Sequence, residues 1–436
     1  KIELNKKTEK MKLETVLPLL LTAQVVFGSR EPTLRGHSQM RVGDTWINVS
    51  VATFYFEYSL FPGQNLFTLP ENTFVPSFDQ PFALLAQRGV RNLHQGTNIS
   101  VSLDEVYVHH LSFFPGWMIG AEQLTASSED IASGASQKSQ FTFQPGYGYI
   151  LNASKIGINA HLLSNVDLAP INGSLALAHK QCNECYYAPG KGSECTPEME
   201  GTFSCCGDSE VCRSGKEQCA CKTNTGSTTP IRYEVQMDFL VTFEVEHITP
   251  LANWALTAPQ CAMGVTRYAA NSPCAISQTT TKTGSLFHQI YRNDTNPEQE
   301  TTGTWVSPYS GTIHYAQAHL HTGGVNLTFS INGQNICTSN AEYGTNPNNE
   351  TNARDEFGHL IAITDCISQG TRVRVEKGDV LHLSSYYYAG MDDSRLPNKA
   401  GGEHLNVMSF MFFGFEIDGA NTKGQNSFMD MFNVYV

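Results

Sequence analysis

Apolar and polar residues alternate over short stretches along most of the chain. Residues 46–51 and 53–58 form two such stretches, and residues 232–245 form a third that exceeds ten residues. Alternation with a period of two is typical of half-buried β-strands, because successive side chains point to opposite faces of a sheet. Clusters of Pro, Gly and Asn separate the stretches at short intervals. The pattern predicts an all-β protein with two antiparallel β-sandwich domains of the jelly-roll type.

The chain has 436 residues, which is enough for two domains that each bury a core. We predict a leader with a signal peptide over residues 1–28, an N-terminal sandwich over residues 29–250 and a C-terminal sandwich over residues 251–436. A cysteine-rich insert over residues 182–221 interrupts the first sandwich. The formal net charge of −13 argues against nucleic acid as a partner.

The predicted leader has a basic start, continues through the apolar run Val16–Phe27 and ends at the small residues Gly28 and Ser29. This order is typical of a secretory signal peptide. A membrane anchor is the alternative, but the apolar run is too short to span a bilayer. We therefore expect a secreted, extracellular protein without a membrane span.

The twelve cysteines are even in number, and eight of them lie in the insert. In a secreted chain this arrangement favours disulfides, although zinc is the alternative for the close pairs 182/185 and 219/221. In the second domain the economical disulfide pairs are 261–274 and 337–366. The cysteines expected in disulfides are Cys182, Cys185, Cys195, Cys205, Cys206, Cys212, Cys219, Cys221, Cys261, Cys274, Cys337 and Cys366.

Seven Asn-x-Ser/Thr sequons point to the same compartment, since such sequons accept N-glycans on the secretory route. Some sequons arise by chance, so we do not expect all of them to be used. They lie at Asn48, Asn98, Asn152, Asn172, Asn293, Asn326 and Asn349.

Two histidines separated by one residue lie inside the alternating run that begins at Ile313. His319 and His321 point from the same face of a β-strand, so both imidazoles can reach one metal ion. Gly323 and Gly324 come directly afterwards and predict a bulge or a tight bend. Paired histidines on a wet strand face are the alternative.

Other histidines extend this candidate site. His109 and His110 are adjacent, so they can share a metal only at a strand end or a β-bulge; one buried and one exposed histidine is the alternative. His161 lies in an apolar strand, where a hydrogen-bonded core histidine is the alternative. His404 begins a run that is apolar on both faces, and a histidine there needs a hydrogen-bond partner or a metal. By strand alternation, His314 is expected on the opposite face from His319.

The order of these motifs resembles the copper type II, ascorbate-dependent monooxygenases, which include the peptidylglycine α-hydroxylating and dopamine β-hydroxylating enzymes. That family has an H-H pair and a lone His in its first β domain, then H-x-H and Glu-Met in its second. The resemblance implies two β-sandwiches that each hold one copper, two coppers per chain, across a cleft. It implies that ascorbate is the reductant and that O2 hydroxylates a C–H bond of a small-molecule or peptidic substrate.

Carried onto this chain, the resemblance implies that His109, His110 and His161 hold the electron-delivering copper. His319 and His321 would hold the copper that binds oxygen and substrate, together with a third ligand. Three neutral imidazoles suit copper and leave coordination positions open for a small molecule.

The third ligand and the substrate pocket depart from the family pattern. The family has Glu-Met where this chain has Glu403-His404, so His404 is the expected ligand. Met408 and Met411 are alternative sources of sulfur, although strand alternation places only Met408 on the face of His404. The arginine that binds a peptide carboxylate is replaced by Gln317 and the pocket tyrosine by Met408, while the pocket asparagine is kept as Asn406. Peptide amidation is therefore not expected.

Residues 201–208 in the insert (GTFSCCGD) and residues 145–148 (PGYG) ahead of His161 resemble a second family, the stress-up-regulated nodulin proteins. The resemblance implies a secreted protein on the same scaffold, without an established reaction. Two functions follow. The first is a secreted copper-dependent monooxygenase with an unknown substrate, and the alternative is a non-catalytic extracellular glycoprotein with a structural or recognition role.

Overall fold

β-strands account for most of the part of the chain that the computed structural model describes. These residues are 30–68, 73–103, 105–115, 124–127, 142–152, 154–167, 183–184, 202–204, 211–213, 219–220, 229–258, 288–291, 296–321, 323–343, 360–368, 370–388, 404–407 and 409–419. The helical segment recorded among them is the short 3-10 turn Val245–His247. The predicted all-β fold is confirmed. None of the helices in these ranges is long and apolar enough to cross a membrane.

Fifteen of the described strands precede residue 251. They are β1 (Thr33–Val42), β2 (Thr45–Leu60), β3 (Gln64–Phe67), β4 (Phe74–Pro76), β5 (Phe82–His94), β6 (Val106–Pro115), β7 (Leu124–Ser127), β8 (Tyr147–Leu151), β9 (Lys155–Ser164), β10 (Asn183–Glu184), β11 (Thr202–Ser204), β12 (Val211–Arg213), β13 (Cys219–Ala220), β14 (Ile231–Thr242) and β15 (Thr249–Pro250). The first sandwich packs the sheet β1-β2-β14-β5-β8-β15 against the sheet β13-β3-β9-β6-β7, in which β4 also pairs with β9.

Strand β14 shows how alternation builds this sandwich. Tyr233, Val235 and Met237 face the core and are fully buried. Glu234 and Asp238 point to the other face, where Arg30 and Arg35 form ion pairs with them. The neighbouring strands add further aromatic side chains to the core, which contributes roughly 1.5–3 kcal/mol for each large apolar side chain removed from water.

The described part of the insert is a small sheet of its own. Strands β10, β11 and β12 pair in that order, and β13 joins the chain back to β3 of the first sandwich. Of the eight cysteines expected in disulfides here, Cys212 and Cys219 lie in described strands, but nothing is described of their side chains, and the other six lie outside the described residues. Their pairing stays a prediction.

Twelve described strands follow residue 251. They are β16 (Ala252–Thr257), β17 (His288–Tyr291), β18 (Glu298–Val306), β19 (Gly311–Leu320), β20 (Gly324–Ile331), β21 (Gln334–Tyr343), β22 (Leu360–Ile363), β23 (Asp365–Ile367), β24 (Val373–Val375), β25 (Val380–Tyr388), β26 (His404–Val407) and β27 (Ser409–Ile417). One sheet has the order β16-β27-β19-β23, with β24 beside β19, and the other has the order β18-β25-β20-β21-β22. Strands β17 and β26 form a separate two-stranded ribbon.

A disulfide joins the two sheets of the second sandwich. It links Cys337 on β21 to Cys366 on β23, with 5.1 Å between the Cα atoms. The predicted pair 337–366 is confirmed, whereas the predicted pair 261–274 lies outside the described residues.

Two large hydrophobic cores lie among the described residues, and a smaller buried cluster that includes Ile47 and Leu85 lies in the first sandwich. The first runs from Ala52 to Leu251 and the second from Trp254 to Phe415. The domain boundary that we predict at residue 250 stays a prediction, and it falls where the chain passes from one core to the other. Tyr315 is the exception, because it belongs to the second sandwich in sequence but packs in the first core.

The junction between the sandwiches lies on the outer face of β19 and β27. Tyr315 meets Phe143 edge-to-face, with 6.3 Å between ring centroids. Gly414 is covered so closely that a Cβ atom there would lie 3.0 Å from the Phe143 ring and 3.3 Å from the Tyr149 hydroxyl. This close contact needs a residue without a side chain, and it fixes which face of the second sandwich looks towards the first.

Candidate metal centre

The H-x-H motif lies on the end of β19, on the face that points away from the second core. Ala316, Ala318 and Leu320 pack in that core. The alternate residues on β19, including Gln317 and His319, therefore point outward, on the same side as Tyr315 at the junction. His319 and His321 are nevertheless only 5% and 4% exposed. An outward-facing pair of imidazoles that is also removed from water is the central feature of this site.

The two imidazoles stand close together and nearly perpendicular. Their ring centroids are 5.4 Å apart and their planes meet at 85°. Metal–imidazole bonds are about 2 Å long, so one ion can bond to a nitrogen of each ring at this spacing. The two histidines do not share one strand face, because β19 ends at Leu320 and His321 directly follows it. The metal itself stays a prediction.

Aromatic side chains of β27 lie beside the pair. Phe410 pairs with His319 across the ladder and lies 6.1 Å from it between ring centroids. Phe412 stacks on Phe410, with 5.7 Å between the rings and nearly parallel planes. The floor next to His319 is therefore apolar, which strengthens any electrostatic interaction made there.

Gln317 is held at both ends of its amide. The Tyr315 hydroxyl donates to its Oε1 atom, and its Nε2 atom donates to the Ile363 carbonyl at 3.2 Å. Gln317 is also neutral and 5% exposed. It offers no positive charge for a carboxylate.

The chain turns sharply after the motif, as Gly323 and Gly324 predict. The Gly324 amide donates to the His321 carbonyl at 2.8 Å. Gly323 has φ near +91°, a region that favours glycine. A Cβ atom on Gly324 would lie 2.9 Å from the His321 carbonyl oxygen. The turn carries the chain from one sheet of the second sandwich to the other.

The expectation for His314 is wrong. The ladder between β19 and β27 shifts register between Ile313 and Tyr315, so His314 is the extra residue of a β-bulge. The bulge turns it towards the junction, where its Nε2 atom lies 2.9 Å from Glu416 and its ring lies 4.2 Å from that of Tyr147. Strand alternation fails at a bulge, because two residues oppose one.

Burial lowers the pKa of His314 below its ordinary value, and the hydrogen bond to Glu416 opposes this shift. The Arg372 guanidinium lies over the ring of Tyr147, a residue of the first sandwich. Its positive charge also lowers the pKa of His314. The folded state therefore binds this proton less tightly than the unfolded chain does. The neutral His314 imidazole therefore contributes fully to the stability of the fold above about pH 6.5. This contribution is lost as the pH falls towards the lowered pKa.

We expect a His314→Gln variant to lose less stability on acidification than the parent protein. Between pH 7.5 and 5.0 the slope of unfolding free energy against pH should fall by at most about 1.4 kcal/mol per pH unit, the effect of one proton. Urea unfolding at several pH values measures this slope. His382→Gln is the matched control, because His382 bonds to Thr304 at an exposed position; equal slopes in all three proteins would contradict the assignment.

The backbone brings the first histidine cluster together. His110 pairs with His161 across the ladder between β6 and β9. The register shifts between Val108 and His110, so His109 is the extra residue of a β-bulge. A bulge is the arrangement that adjacent histidines need in order to share a metal. The side chains of these three histidines lie outside the described residues, so their role as ligands stays a prediction.

The third ligand of the second site is less directly placed. His404 pairs with Tyr291 on the ribbon and comes five residues before Ser409, which pairs with Leu320. An extended run of five residues covers about 17 Å, so His404 reaches the pair only if the chain folds back between β26 and β27. The side chains of His404 and Asn406 lie outside the described residues.

Of the two methionines that are alternative ligands, the structure describes only Met411. Met411 is fully buried in the second core, on the opposite face of β27 from Phe410 and Phe412, so it is excluded as a ligand. Met408 immediately precedes Ser409 in sequence and lies outside the described residues. Within the described part of the chain, no three His, Cys, Asp or Glu side chains form a group that could hold a metal.

Sequence similarity assigns the chain to a family. This all-β chain with a disulfide-linked second sandwich matches the family model of Stress up-regulated Nod 19 over residues 136–394. The match covers more than half of the chain, and the protein belongs to the Stress up-regulated Nod 19 family. It includes the H-x-H motif and His161, while His109, His110 and His404 lie beyond its ends.

Other comparisons add little. No curated protein matches the chain. The STIV MCP aligns at 9% identity over 85% of this chain and 97% of that one, with a TM-score of 0.20. Infectious bursal disease virus Gt strain aligns at 10% identity over 93% and 78%, with a TM-score of 0.16. The coconut allergen cocosin aligns at 9% identity over 89% and 85%, with a TM-score of 0.10. These TM-scores support no argument, and none of these comparisons names a copper monooxygenase.

Proposed function

We propose that this family member is a secreted copper-dependent monooxygenase that hydroxylates a C–H bond of an unknown substrate with O2 and ascorbate. The observation that carries the proposal is the buried imidazole pair of His319 and His321 on the outward face of the second sandwich. The two imidazoles lie 5.4 Å apart between ring centroids, so one metal ion could bond to a nitrogen of each ring.

The donor set of this pair fits copper. Imidazole is a good ligand for copper, and two protein nitrogens leave positions open for further ligands. Copper bound here would supply the redox chemistry with O2, and copper bound at His109, His110 and His161 would supply a second electron. The bulge at His109 and the pairing of His110 with His161 support the proposed first site.

The residues of this chain shape the proposed second site in two ways. The burial of His319 and His321 keeps bulk water away from the metal, and Phe410 presents an apolar ring beside it. Gln317 holds its neighbours through both ends of its amide and leaves no cation to bind a carboxylate. We therefore expect the substrate to approach along the aromatic residues of β27 and not through a carboxylate anchor.

Copper titration combined with oxygen measurement tests the proposal. The secreted protein should bind two coppers per chain and consume O2 when ascorbate is added. A His161→Ala variant should keep one copper and lose rapid O2 uptake, because the proposed first site is then missing. Absence of copper binding and of O2 uptake would reject the proposal and favour the non-catalytic extracellular glycoprotein.

Secretion is part of the proposal, and the surroundings of the described sequons differ in ways that would affect glycosylation. Asn98 and Asn152 are exposed and lie outside the strands. Asn48 lies within β2, and its side-chain amide and its backbone N–H both donate to Glu244, at 2.7 and 3.0 Å. These two bonds also hold the pKa of Glu244 below its usual range.

We expect glycan occupancy to be nearly complete at Asn98 and Asn152 and clearly lower at Asn48. Glycopeptide mass spectrometry of the secreted protein, with deglycosylation in heavy-oxygen water, measures each site. Asn326, which lies half-buried within β20, serves as a second strand position for comparison. Full occupancy at Asn48 with empty sites at Asn98 and Asn152 would contradict this expectation. Asn172, Asn293 and Asn349 lie outside the described residues.

A further inference from the structure

The strand that carries the H-x-H motif ends between its two histidines. The last described pair in the ladder of β19 and β27 joins Leu320 to Ser409, and His321 follows β19 in the turn. The position of the His321 imidazole relative to that of His319 therefore depends on how this turn is held. A metal site requires its ligands to be fixed within about 0.5 Å.

Two tyrosines from the opposite sheet hold the turn. The Tyr387 hydroxyl accepts a hydrogen bond from the His321 amide at 2.9 Å. The Tyr343 hydroxyl accepts from the Gly323 amide at 2.9 Å and donates to the Gly324 carbonyl at 2.9 Å. The Tyr388 amide adds a bond to the Gly323 carbonyl at 2.9 Å. The turn is thus fixed by contacts that cross the second sandwich.

Tyr387 makes its contact from within the core. Its ring is fully buried on β25 among the apolar side chains of the second sandwich. A phenol in an apolar core is costly unless its hydroxyl is bonded. Phenylalanine would fill the same space without this cost, so the hydroxyl contributes something other than core volume.

We propose that Tyr387 and Tyr343 are positioning residues of the metal site formed by His319 and His321. They hold the end of β19 and the following turn so that the second imidazole faces the first. This inference rests on the proposed function, in that it concerns the same site. Tyr387 and Tyr343 lie 66 and 22 positions from His321 in the sequence. Neither would contact the metal itself.

The test compares Tyr387→Phe with Tyr386→Phe. Tyr386 is the neighbour on the same strand, and its hydroxyl bonds to Glu300 at 2.9 Å on the exposed face. Both variants lose one hydroxyl and one hydrogen bond, but only the first touches the motif. Copper affinity and the electron paramagnetic resonance spectrum of Cu(II) are measured in a His161→Ala background, so that the signal comes from the second site.

We expect Tyr387→Phe to weaken copper binding at the second site by 10- to 100-fold, the usual effect of losing a group that orients a ligand. Its Cu(II) spectrum should change, while Tyr386→Phe should match the parent in both measurements. The inference would be overturned if Tyr387→Phe kept the copper affinity and the Cu(II) spectrum of the parent while its His321 amide exchanged faster with solvent. The hydrogen bond from His321 to Tyr387 would then have a purely structural role. Should Tyr387→Phe fail to fold, Tyr343→Phe, which is only half-buried, takes its place with the same expected results.

A separate readout distinguishes this inference from the proposed function. If the parent protein binds no copper at His319 and His321, the proposed function fails. The positioning role is then judged from the imidazole resonances of His321, measured by nuclear magnetic resonance without metal. Tyr387→Phe should shift those resonances and Tyr386→Phe should not. Unchanged resonances in Tyr387→Phe would overturn the inference as well.

Discussion

Replacing both His319 and His321 with alanine is expected to lower the bound copper from two ions per chain to one and to abolish ascorbate-dependent O2 uptake. The pair supplies two of the ligands proposed for the second site, and its rings are close enough to share one ion. A single remaining ligand cannot retain copper against competition from the solvent and from weak chelators. The loss of uptake should be complete, since oxygen would have no second site at which to react.

The matched control removes two histidines elsewhere. His37 bonds to the Ser50 hydroxyl at 2.8 Å, and His382 bonds to the Thr304 hydroxyl at 3.0 Å. A double alanine variant of these two residues also loses two imidazoles, one from each sandwich. Its copper content and O2 uptake should match those of the parent protein. Two coppers and normal uptake in the His319→Ala, His321→Ala variant would show that these residues are not the ligands.

Residues that obey strand alternation could be predicted from the sequence. Alternation on β14 separates Tyr233, Val235 and Met237 from Glu234 and Asp238, as the structure has them. The outward face of His319 and the bend at Gly323 are also properties of one strand and its end. A single strand is enough to specify such features, because its period is fixed by backbone geometry.

Features that depend on the pairing with a second strand could not be predicted from the sequence. The bulge at His314 reverses its expected face, and only the pairing with β27 reveals it. Adjacent histidines can share a metal only at a strand end or a bulge, and the bulge at His109 becomes visible only from the register of β6 with β9. Tyr387 bonds to His321 and Tyr343 bonds to Gly323 across the sandwich, and nothing in the sequence around either tyrosine indicates this contact.

The proposed reaction also depends on how the two sandwiches sit together, and this leads to the second prediction. Each proposed copper site lies in a different sandwich, so electrons must cross between them. The junction next to the motif is packed around Gly414, where a Cβ atom would lie 3.0 Å from the Phe143 ring and 3.5 Å from the Leu251 side chain. A larger residue has no room there unless the sandwiches separate.

We expect Gly414→Leu to lower ascorbate-dependent O2 uptake by about 10²-fold while both coppers stay bound, since displacement of reacting groups by about 1 Å has effects of that size. Overpacking should also lower the free energy of unfolding by about 1–3 kcal/mol. An oxygen electrode measures the uptake, urea unfolding measures the stability, and small-angle X-ray scattering measures the separation of the sandwiches.

Gly89→Leu is the control for adding a leucine side chain at a strand glycine. Gly89 lies on β5, and a Cβ atom there meets nothing within 4 Å. This variant should keep the uptake, the copper content and the scattering profile of the parent protein. If Gly414→Leu kept parental uptake despite a changed scattering profile, electron transfer would not depend on this junction. If the scattering profile of Gly414→Leu were unchanged as well, the close packing of Gly414 against Phe143 would not determine the relative position of the two sandwiches.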